Sequence, residues 1–399
     1  MDWQTPADFA SSSLITEAQA NALAGRPPVT GAWRESDHPG DRRFAAVGRL
    51  DLERGGTLPF ARIAYETWGT LSPDRDNAVL VLHALTGDSH VTGGAVAGHV
   101  TSGWWSGIVG PGRPIDTDRW FVVAPNLLGG CQGSTGPASL APDGTEWGSR
   151  FPYLTIRDQV TAQVAVADAL GIDRWSAVVG GSMGGMHALE WAVGHPDRVE
   201  RLAVLAVPPA LTADQIAANS LQVEAVRMDQ NFRGGDYYDG DEGPTSGLAL
   251  ARRMAMINYR RSSELNDRFA RSWQSGISPL GDGGRFAVDS YLDFHGNRFV
   301  RRFDANSYIT LVEAMNSHDV GRGRGGAPTA LRTISALTLV LGISSDRLFP
   351  VDGQRTIARY IPHTLDGDEP VVIESAFGHD GFLIEEDAVG RHLLRLLDA

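Results

Sequence analysis

A serine stands at the centre of the glycine-rich stretch Gly180-Gly181-Ser182-Met183-Gly184, between an apolar run and a segment with a helical pattern. A turn of this kind between a strand and a helix presents a serine hydroxyl at the tip of a sheet, and the glycines avoid collisions with neighbouring elements. The same turn aims the backbone N–H of Met183 at the position where an oxyanion would form. The pattern predicts a nucleophilic Ser182 for acyl chemistry, although the glycines also suit a turn with no catalytic role.

A nucleophilic serine needs a base and an acid that orients this base, and the chain offers both further on. Asp346 follows the apolar run 337–341, and His379 stands in a loop after the apolar run 371–373. We predict that His379 takes the proton of Ser182 and returns it to the leaving group, while Asp346 fixes the tautomer and stabilises the imidazolium. Taken singly, the aspartate also suits a helix cap and the histidine a packing role, but their order at strand ends favours catalysis.

The loop after the apolar run 78–82 is expected to supply the second N–H group of an oxyanion hole, and Leu85 is our candidate. His83, at the end of that run, is interpreted as a brace that holds the loop by hydrogen bonds. Cys131 is interpreted as structural because no base is paired with it in the sequence.

These positions require strands that end at a common edge of a sheet. Short apolar runs recur at residues 78–82, 120–124, 175–179, 199–207, 337–341 and 371–373. Helical patterns such as residues 156–170 separate several of them, and a hairpin at residues 47–52 and 61–68 precedes them. Apolar strands that alternate with helices predict an α/β fold with a mostly parallel, doubly wound sheet.

The alternation breaks between residues 208 and 332, where the sequence becomes helical and richer in charge. Candidate helices lie at residues 214–228, 245–260, 262–273, 288–299 and 304–318. We predict a core formed by residues 45–207 and 333–399, a helical lid inserted at residues 208–332, and an N-terminal extension at residues 1–44. The extension is expected to hold one short helix at residues 16–23, and residues 321–326 read as a flexible linker from lid to core.

The composition is that of a soluble globular protein, with 42% apolar and 21% charged residues. A net charge of −13 argues against nucleic acid or an anionic membrane as a partner. The single cysteine excludes an intramolecular disulfide and a cysteine-based zinc site, and we predict no metal. The sequence shows no signal peptide and no long apolar stretch, so a cytoplasmic protein is expected.

Several stretches together resemble the homoserine O-acetyltransferases of methionine biosynthesis, which have the α/β-hydrolase fold. The matching stretches are residues 83–88, 126–137, 180–185, 302–308 and 377–382. The resemblance implies that acetyl-CoA acylates Ser182 and that the hydroxyl of L-homoserine then takes the acetyl group. It also implies a homodimer formed through the lid helices, and no permanently bound cofactor.

A zwitterionic amino acid needs a cation for its carboxylate and an anion for its ammonium group. Arg252, on a predicted lid helix, is suited to clamp a carboxylate, with the hydroxyl of Tyr259 two turns along the same face in support. Asp380, next to His379, is suited to hold the ammonium group. The family pattern places the substrate arginine and the aspartate after the catalytic histidine at Arg252 and Asp380. Arg253 points about 100° away and is a poorer candidate.

Coenzyme A is an anion, so positive charge is expected near the opening of the site. Arg322 and Arg324 are candidates for it, but a solvated basic linker is the plainer interpretation. Other chemistries stay open: succinyl transfer, serine as the acceptor, ester hydrolysis, or a noncatalytic binding protein on the same fold.

Overall fold

A computed structural model describes residues 23–399. These residues form an eight-stranded sheet with helices on both faces, and helices alternate with its strands along the chain. The strands are β1 (Arg43–Asp51), β2 (Thr57–Trp68), β3 (Ala78–Leu82), β4 (Phe121–Pro125), β5 (Ala177–Gly181), β6 (Arg201–Leu205), β7 (Leu337–Ile343) and β8 (Val371–Ile373). They lie side by side in the order β1-β2-β4-β3-β5-β6-β7-β8. Strand β2 is antiparallel to both of its neighbours, and the other pairs are parallel. The predicted mostly parallel sheet is confirmed.

The sheet is buried on both faces because its central strands are apolar at every position. Leu80 and Val178 point into one core cluster, whereas Val79 and Val179 point into a second cluster on the opposite face. Successive side chains of a strand alternate between the two faces, so an uninterrupted apolar run is what a strand covered on both sides requires.

Residues 23–399 contain eleven α-helices. They are α1 (Ile156–Leu170), α2 (Met183–Gly194), α3 (Ala213–Arg227), α4 (Thr245–Tyr259), α5 (Ser262–Phe269), α6 (Ala287–Phe299), α7 (Ala305–Asn316), α8 (Ala327–Leu331), α9 (Val351–Tyr360), α10 (Gly381–Ile384) and α11 (Glu386–Leu397). Helix α1 begins with a capping box, in which Thr155 and Asp158 each bind the other's backbone N–H. Local sequence thus fixes where this helix starts.

Helices α3 to α8 all lie between β6 and β7 in the chain, and the described residues there contribute no strand to the sheet. A small apolar cluster, which includes Met256, Phe269 and Tyr291, joins α4, α5 and α6 to one another. No helix in residues 23–399 is both long and apolar enough to cross a membrane.

The predicted boundaries differ from the structure in a few places. Helix α2 begins at Met183 directly after the serine, earlier than the apolar pattern suggests, and α5 ends at Phe269 because Ala270 adopts a φ of 44°. Residues 321–326 form hydrogen-bonded turns in place of the expected flexible linker. The helix predicted at residues 16–23 lies outside the described residues except for its last position.

Candidate active site

Ser182 occupies a strained backbone position between β5 and α2. Its φ and ψ are 57° and −125°, a conformation that costs a non-glycine residue about 1–3 kcal/mol. The N–H of Ser182 donates to the carbonyl of Leu205 at 2.9 Å, which ties the turn to β6. A side chain at Gly184 would overlap the carbonyl of Leu82, and a side chain at Gly181 would overlap the ring of Phe382. The turn is therefore possible only with glycines beside the serine, as the sequence pattern indicates.

Three side chains from distant parts of the chain meet at this turn. Nε2 of His379 lies 2.8 Å from Oγ of Ser182, and Nδ1 of His379 lies 2.6 Å from Oδ2 of Asp346. All three residues are more than nine-tenths buried. The other carboxylate oxygen, Oδ1 of Asp346, accepts the backbone N–H groups of Leu348 and Phe349 at 2.9 and 2.8 Å. The acid is thus locked in the orientation that faces the imidazole.

The electrostatics of His379 reflect two opposing effects. Burial lowers the pKa of His379, but the charge and hydrogen bond of Asp346, followed by the charge of Asp380, outweigh it and leave the pKa above its ordinary value of 6.5. The higher pKa makes the imidazole a stronger base for the hydroxyl proton of Ser182.

The loop after β3 lies beside the serine turn and is held from several sides. The ring of His83 contacts the carbonyl of Ala84 through Nδ1 at 2.7 Å and accepts the N–H of Leu127 through Nε2 at 3.1 Å. His83 is therefore the brace that the sequence predicts. Within residues 23–399 the N–H groups of Leu85 and Met183 have no hydrogen-bond acceptor, so both remain candidates for an oxyanion hole.

Cys131 is buried, and its thiol lies 4.0 Å from the backbone carbonyl of Arg302. Burial, and then the charge of Asp304, raises the pKa of Cys131 to about 12. A thiol with that pKa is protonated at neutral pH and is not a nucleophile.

The predicted substrate arginine reaches the site along α4. The guanidinium of Arg252 lies 5.8 Å from the ring centre of Tyr259 and 3.3 Å from Oγ1 of Thr86, and the ring of Tyr259 lies 5.8 Å from that of His379. Arg252 lies over the face of the Tyr259 ring, so the two side chains meet at this position. The neighbouring Arg253 pairs with a carboxylate of α6 at 3.0 Å, so it does not compete with Arg252 for this position.

Asp380 already has a cationic partner that the sequence did not reveal. Nε of Arg260, the residue after α4, lies 3.5 Å from Oδ2 of Asp380, and their side chains are only 13% and 22% exposed. The spacing of Arg260 in the sequence carries no signal for this pair, because the two residues are brought together by the packing of α4 against the histidine loop.

Comparisons with known proteins agree with this geometry. A family described as "alpha/beta hydrolase fold" matches residues 77–386. A homoserine O-acetyltransferase from Leifsonia xyli subsp. xyli is 69% identical to the chain, over 100% of both proteins. The chain belongs to the homoserine O-acetyltransferase family. The resemblance drawn from the motifs is therefore confirmed, as is membership in a family of acyltransferase enzymes.

Solved structures show the same fold for this homoserine O-acetyltransferase family and for esterases. A crystal structure of homoserine O-acetyltransferase from Bacillus anthracis has 28% sequence identity and a TM-score of 0.82, covering 90% of this chain and 97% of that one. The crystal structure of an esterase has 27% identity and a TM-score of 0.81, covering 89% of this chain and 99% of that one. Overall fold thus does not separate transfer to an alcohol from transfer to water.

The basic residues that we considered for the opening of the site lie in ion pairs. Arg322 donates to both carboxylate oxygens of Glu53 at 2.8 and 3.0 Å, and Arg324 pairs with Glu190. Both guanidinium groups are held by carboxylates that they share with Arg157, so the structure does not support a role for them near the opening.

Glu66, His90 and His99 form the one group in residues 23–399 whose ligand atoms are close enough to hold a metal ion. The two rings are stacked at 3.9 Å with an angle of 12°, so their in-plane lone pairs do not converge on one ion. Instead, His90 contacts a carboxylate oxygen of Glu66 at 2.9 Å and the carbonyl of Gly94 at 3.1 Å. Burial lowers the pKa of His90, but the hydrogen bond and charge of Glu66 raise it above 6.5 overall. The arrangement of these residues fits a buried hydrogen-bonded cluster that joins β2 to the loop after β3 better than it fits a metal site.

Proposed function

We propose that the protein transfers the acetyl group of acetyl-CoA to the hydroxyl of L-homoserine through an acetyl-Ser182 intermediate. The proposal depends above all on the buried Ser182–His379–Asp346 chain of hydrogen bonds, with contacts of 2.8 and 2.6 Å. Membership in the homoserine O-acetyltransferase family supports the identity of the donor and of the acceptor.

The first half-reaction forms the acyl-enzyme. Nε2 of His379 removes the hydroxyl proton of Ser182, and Oγ attacks the thioester carbonyl carbon. The oxygen of this carbonyl becomes an oxyanion that the N–H groups of Met183 and Leu85 stabilise, each by about 3 kcal/mol. The carbon–sulfur bond then breaks, Nε2 returns the proton to the thiolate, and coenzyme A leaves.

The second half-reaction reverses these roles with a new alcohol. The hydroxyl of homoserine gives its proton to Nε2 of His379 while its oxygen attacks the acetyl carbon. The bond from this carbon to Oγ of Ser182 breaks, and Oγ recovers the proton from Nε2. The product is O-acetylhomoserine, and the hydroxyl of Ser182 is regenerated. Asp346 stabilises the imidazolium in both halves and keeps Nδ1 protonated.

In this proposal two charged side chains bind the carboxylate and the ammonium group, which are both attached to the α-carbon of homoserine. Arg252 binds the carboxylate, and the contact of Tyr259 with both Arg252 and His379 links this position to the base. Asp380 binds the ammonium group. Arg260 already lies 3.5 Å from Asp380, so it orients this carboxylate before the substrate arrives.

Hydrolysis of the acyl-enzyme competes with transfer, and the structural likeness to an esterase makes hydrolysis the second candidate function. We propose that residues 208–332 act as a lid that limits the access of water, which favours transfer. A donor that is a coenzyme A thioester also fits the cytoplasmic location expected from the sequence.

The lid helices also present an apolar surface that suits a second copy of the chain. Leu221 and Met228 are 59% and 77% exposed on and just after α3, and Leu250 and Ile257 on α4 are each 44% exposed. We propose that these helices form the interface of a homodimer, since exposed apolar patches mark association surfaces.

The two half-reactions can be tested separately. Protein incubated with acetyl-CoA alone should release thiol and gain the mass of one acetyl group on the peptide that contains Ser182, and Ser182→Ala should show neither change. Addition of homoserine should then remove the adduct and yield O-acetylhomoserine, with serine and water as parallel acceptors. Turnover with succinyl-CoA but not acetyl-CoA, or loss of the adduct to water as fast as to homoserine, would contradict the proposal.

A further inference from the structure

A cavity of about 300 Å³ lies beside the loop that carries Leu85, and the proposed mechanism uses only one side of it. Its lining comes from that loop, from a neighbouring loop and from the lid. The lining residues are Thr86, Gly87, Asp88, Thr101, Ser102, Trp104, Arg252, His295, Arg298, Phe299 and Arg302. Arg252 lines the cavity and also lies over the ring of Tyr259, which is 5.8 Å from the ring of His379, so these two side chains stand between the cavity and the proposed base.

Three arginines give the cavity a positive charge, and its single acidic residue only partly offsets them. Asp88 is that residue, and one of its carboxylate oxygens accepts the backbone N–H of His90 at 2.9 Å. The pKa of His295, which lines the cavity, is lowered to about 4. Burial is the largest cause, followed by the charges of Arg252, Arg260, Arg298 and Arg268. A protein with a net charge of −13 therefore keeps a locally positive cavity next to the loop that carries Leu85.

The three arginines of the cavity differ in their interaction partners. Arg302 is half-buried, and both of its terminal nitrogens donate to the carbonyl of Thr86 at 3.0 Å. Arg252 is assigned to the homoserine carboxylate. Arg298, at the end of α6, is exposed, and its side chain has no hydrogen bond or ion pair with another residue of 23–399. Its guanidinium is therefore the cation of the cavity that is available to a further anion.

We propose that this cavity receives the phosphate end of coenzyme A and that Arg298 binds one of its phosphate groups. The inference rests on the proposed function, which supplies the donor. The homoserine carboxylate accounts for Arg252 alone, so a second anionic group is needed to match the remaining charge. Guanidinium groups bind phosphate oxygens through two parallel N–H donors, and a solvent-facing arginine does so without first breaking an internal ion pair. Arg322 would have to give up Glu53 to do the same.

The test compares Arg298→Gln with Arg322→Gln, which removes the same charge from an arginine outside the cavity. The acyl donors are acetyl-CoA and acetylpantetheine, which carries the same thioester without the nucleotide. We expect Arg298→Gln to raise KM for acetyl-CoA about tenfold more than KM for acetylpantetheine, the equivalent of about 1.4 kcal/mol. The control should keep the kinetic constants of the parent for both donors.

A second measurement does not depend on turnover. The dissociation constant of adenosine 3′,5′-bisphosphate, measured by calorimetry, should rise about tenfold in Arg298→Gln and stay unchanged in Arg322→Gln. The phosphate site would be overturned if Arg298→Gln raised KM equally for both donors, or if it left the dissociation constant of the bisphosphate unchanged. A protein that binds the bisphosphate through Arg298 but does not acylate Ser182 from acetyl-CoA would instead refute the proposed reaction and leave the site standing.

Discussion

Replacing Asp346 by asparagine alters one group of the triad and reverses the direction of its hydrogen bond to the base. The N–H groups of Leu348 and Phe349 need an acceptor at the Oδ1 position, at 2.9 and 2.8 Å. The amide oxygen of Asp346→Asn must therefore lie there, and the amide NH₂ must face Nδ1 of His379. Nδ1 then has to carry the lone pair, so the ring proton sits on Nε2 and points at Ser182. This tautomer cannot accept the proton of the serine.

The size of the defect follows from two contributions. Restoring the reactive tautomer against a facing N–H donor costs about 2 kcal/mol, which is the value of a lost charge-assisted hydrogen bond. The imidazolium formed in the transition state also loses its buried carboxylate, which adds about 3.5 kcal/mol. The sum of about 5.5 kcal/mol is a decrease of about 10⁴-fold in the acylation rate constant, the loss known for this substitution in another Ser-His-Asp triad.

The assay is the single-turnover release of thiol from acetyl-CoA between about pH 5 and 9, the range in which histidines titrate. In the parent protein the pKa of His379 is raised above 6.5 in spite of burial, so acylation falls as the pH drops through that raised value. Without the carboxylate, burial dominates and the pKa of His379 falls, so the residual activity should persist to lower pH. Asp352→Asn, at an 86% exposed side chain on α9, makes the same charge change as a control. A rate within about tenfold of the parent would refute the tautomer argument.

Three further outcomes are expected. Arg252→Ala should weaken homoserine use far more than acyl-enzyme formation, and equal damage to both half-reactions in single-turnover assays would contradict its assignment. Gly184→Ala should lower the free energy of unfolding in urea by about 3 kcal/mol because the new methyl group overlaps the carbonyl of Leu82, and an unchanged midpoint would show that the turn can relax. Glu66→Gln should cost about 3 kcal/mol at pH 6 by removing the partner of buried His90. Since the folded pKa of His90 is raised above 6.5, that pair stabilises the protein below this value and loses its effect as the pH rises through the raised pKa, so the difference from the parent should shrink by pH 9 and not grow.

The order of the catalytic residues, the turn and the fold class could be read from the sequence because each depends on local rules. Glycine is required beside Ser182 for steric reasons that a single stretch of chain already implies, and apolar runs of strand length alternate with helical patterns wherever a parallel sheet is covered on both sides. The run of helices between β6 and β7 was visible as a break in this alternation. The end of α5 was not, because Ala270 adopts a left-handed φ that no sequence rule assigns to alanine.

The sequence could not show which charged side chains form ion pairs with one another. Arg322 and Arg324 look free in a glycine-rich stretch, yet the fold brings Glu53 and Glu190 to them. Arg298 shows no distinguishing pattern, yet the fold leaves it unpaired, within the described residues, at a cavity beside the reactive loop.

The chain by itself therefore determined which backbone elements form and which residue types stand at the strand ends, because steric fit and apolar periodicity act over a few neighbouring positions. Only the tertiary structure decided which charges are neutralised and which face a substrate, because Coulomb and hydrogen-bond partners are selected by distance in space. Asp380 with Arg260 illustrates this, since the two are separated by much of the chain and meet only where α4 packs against the histidine loop.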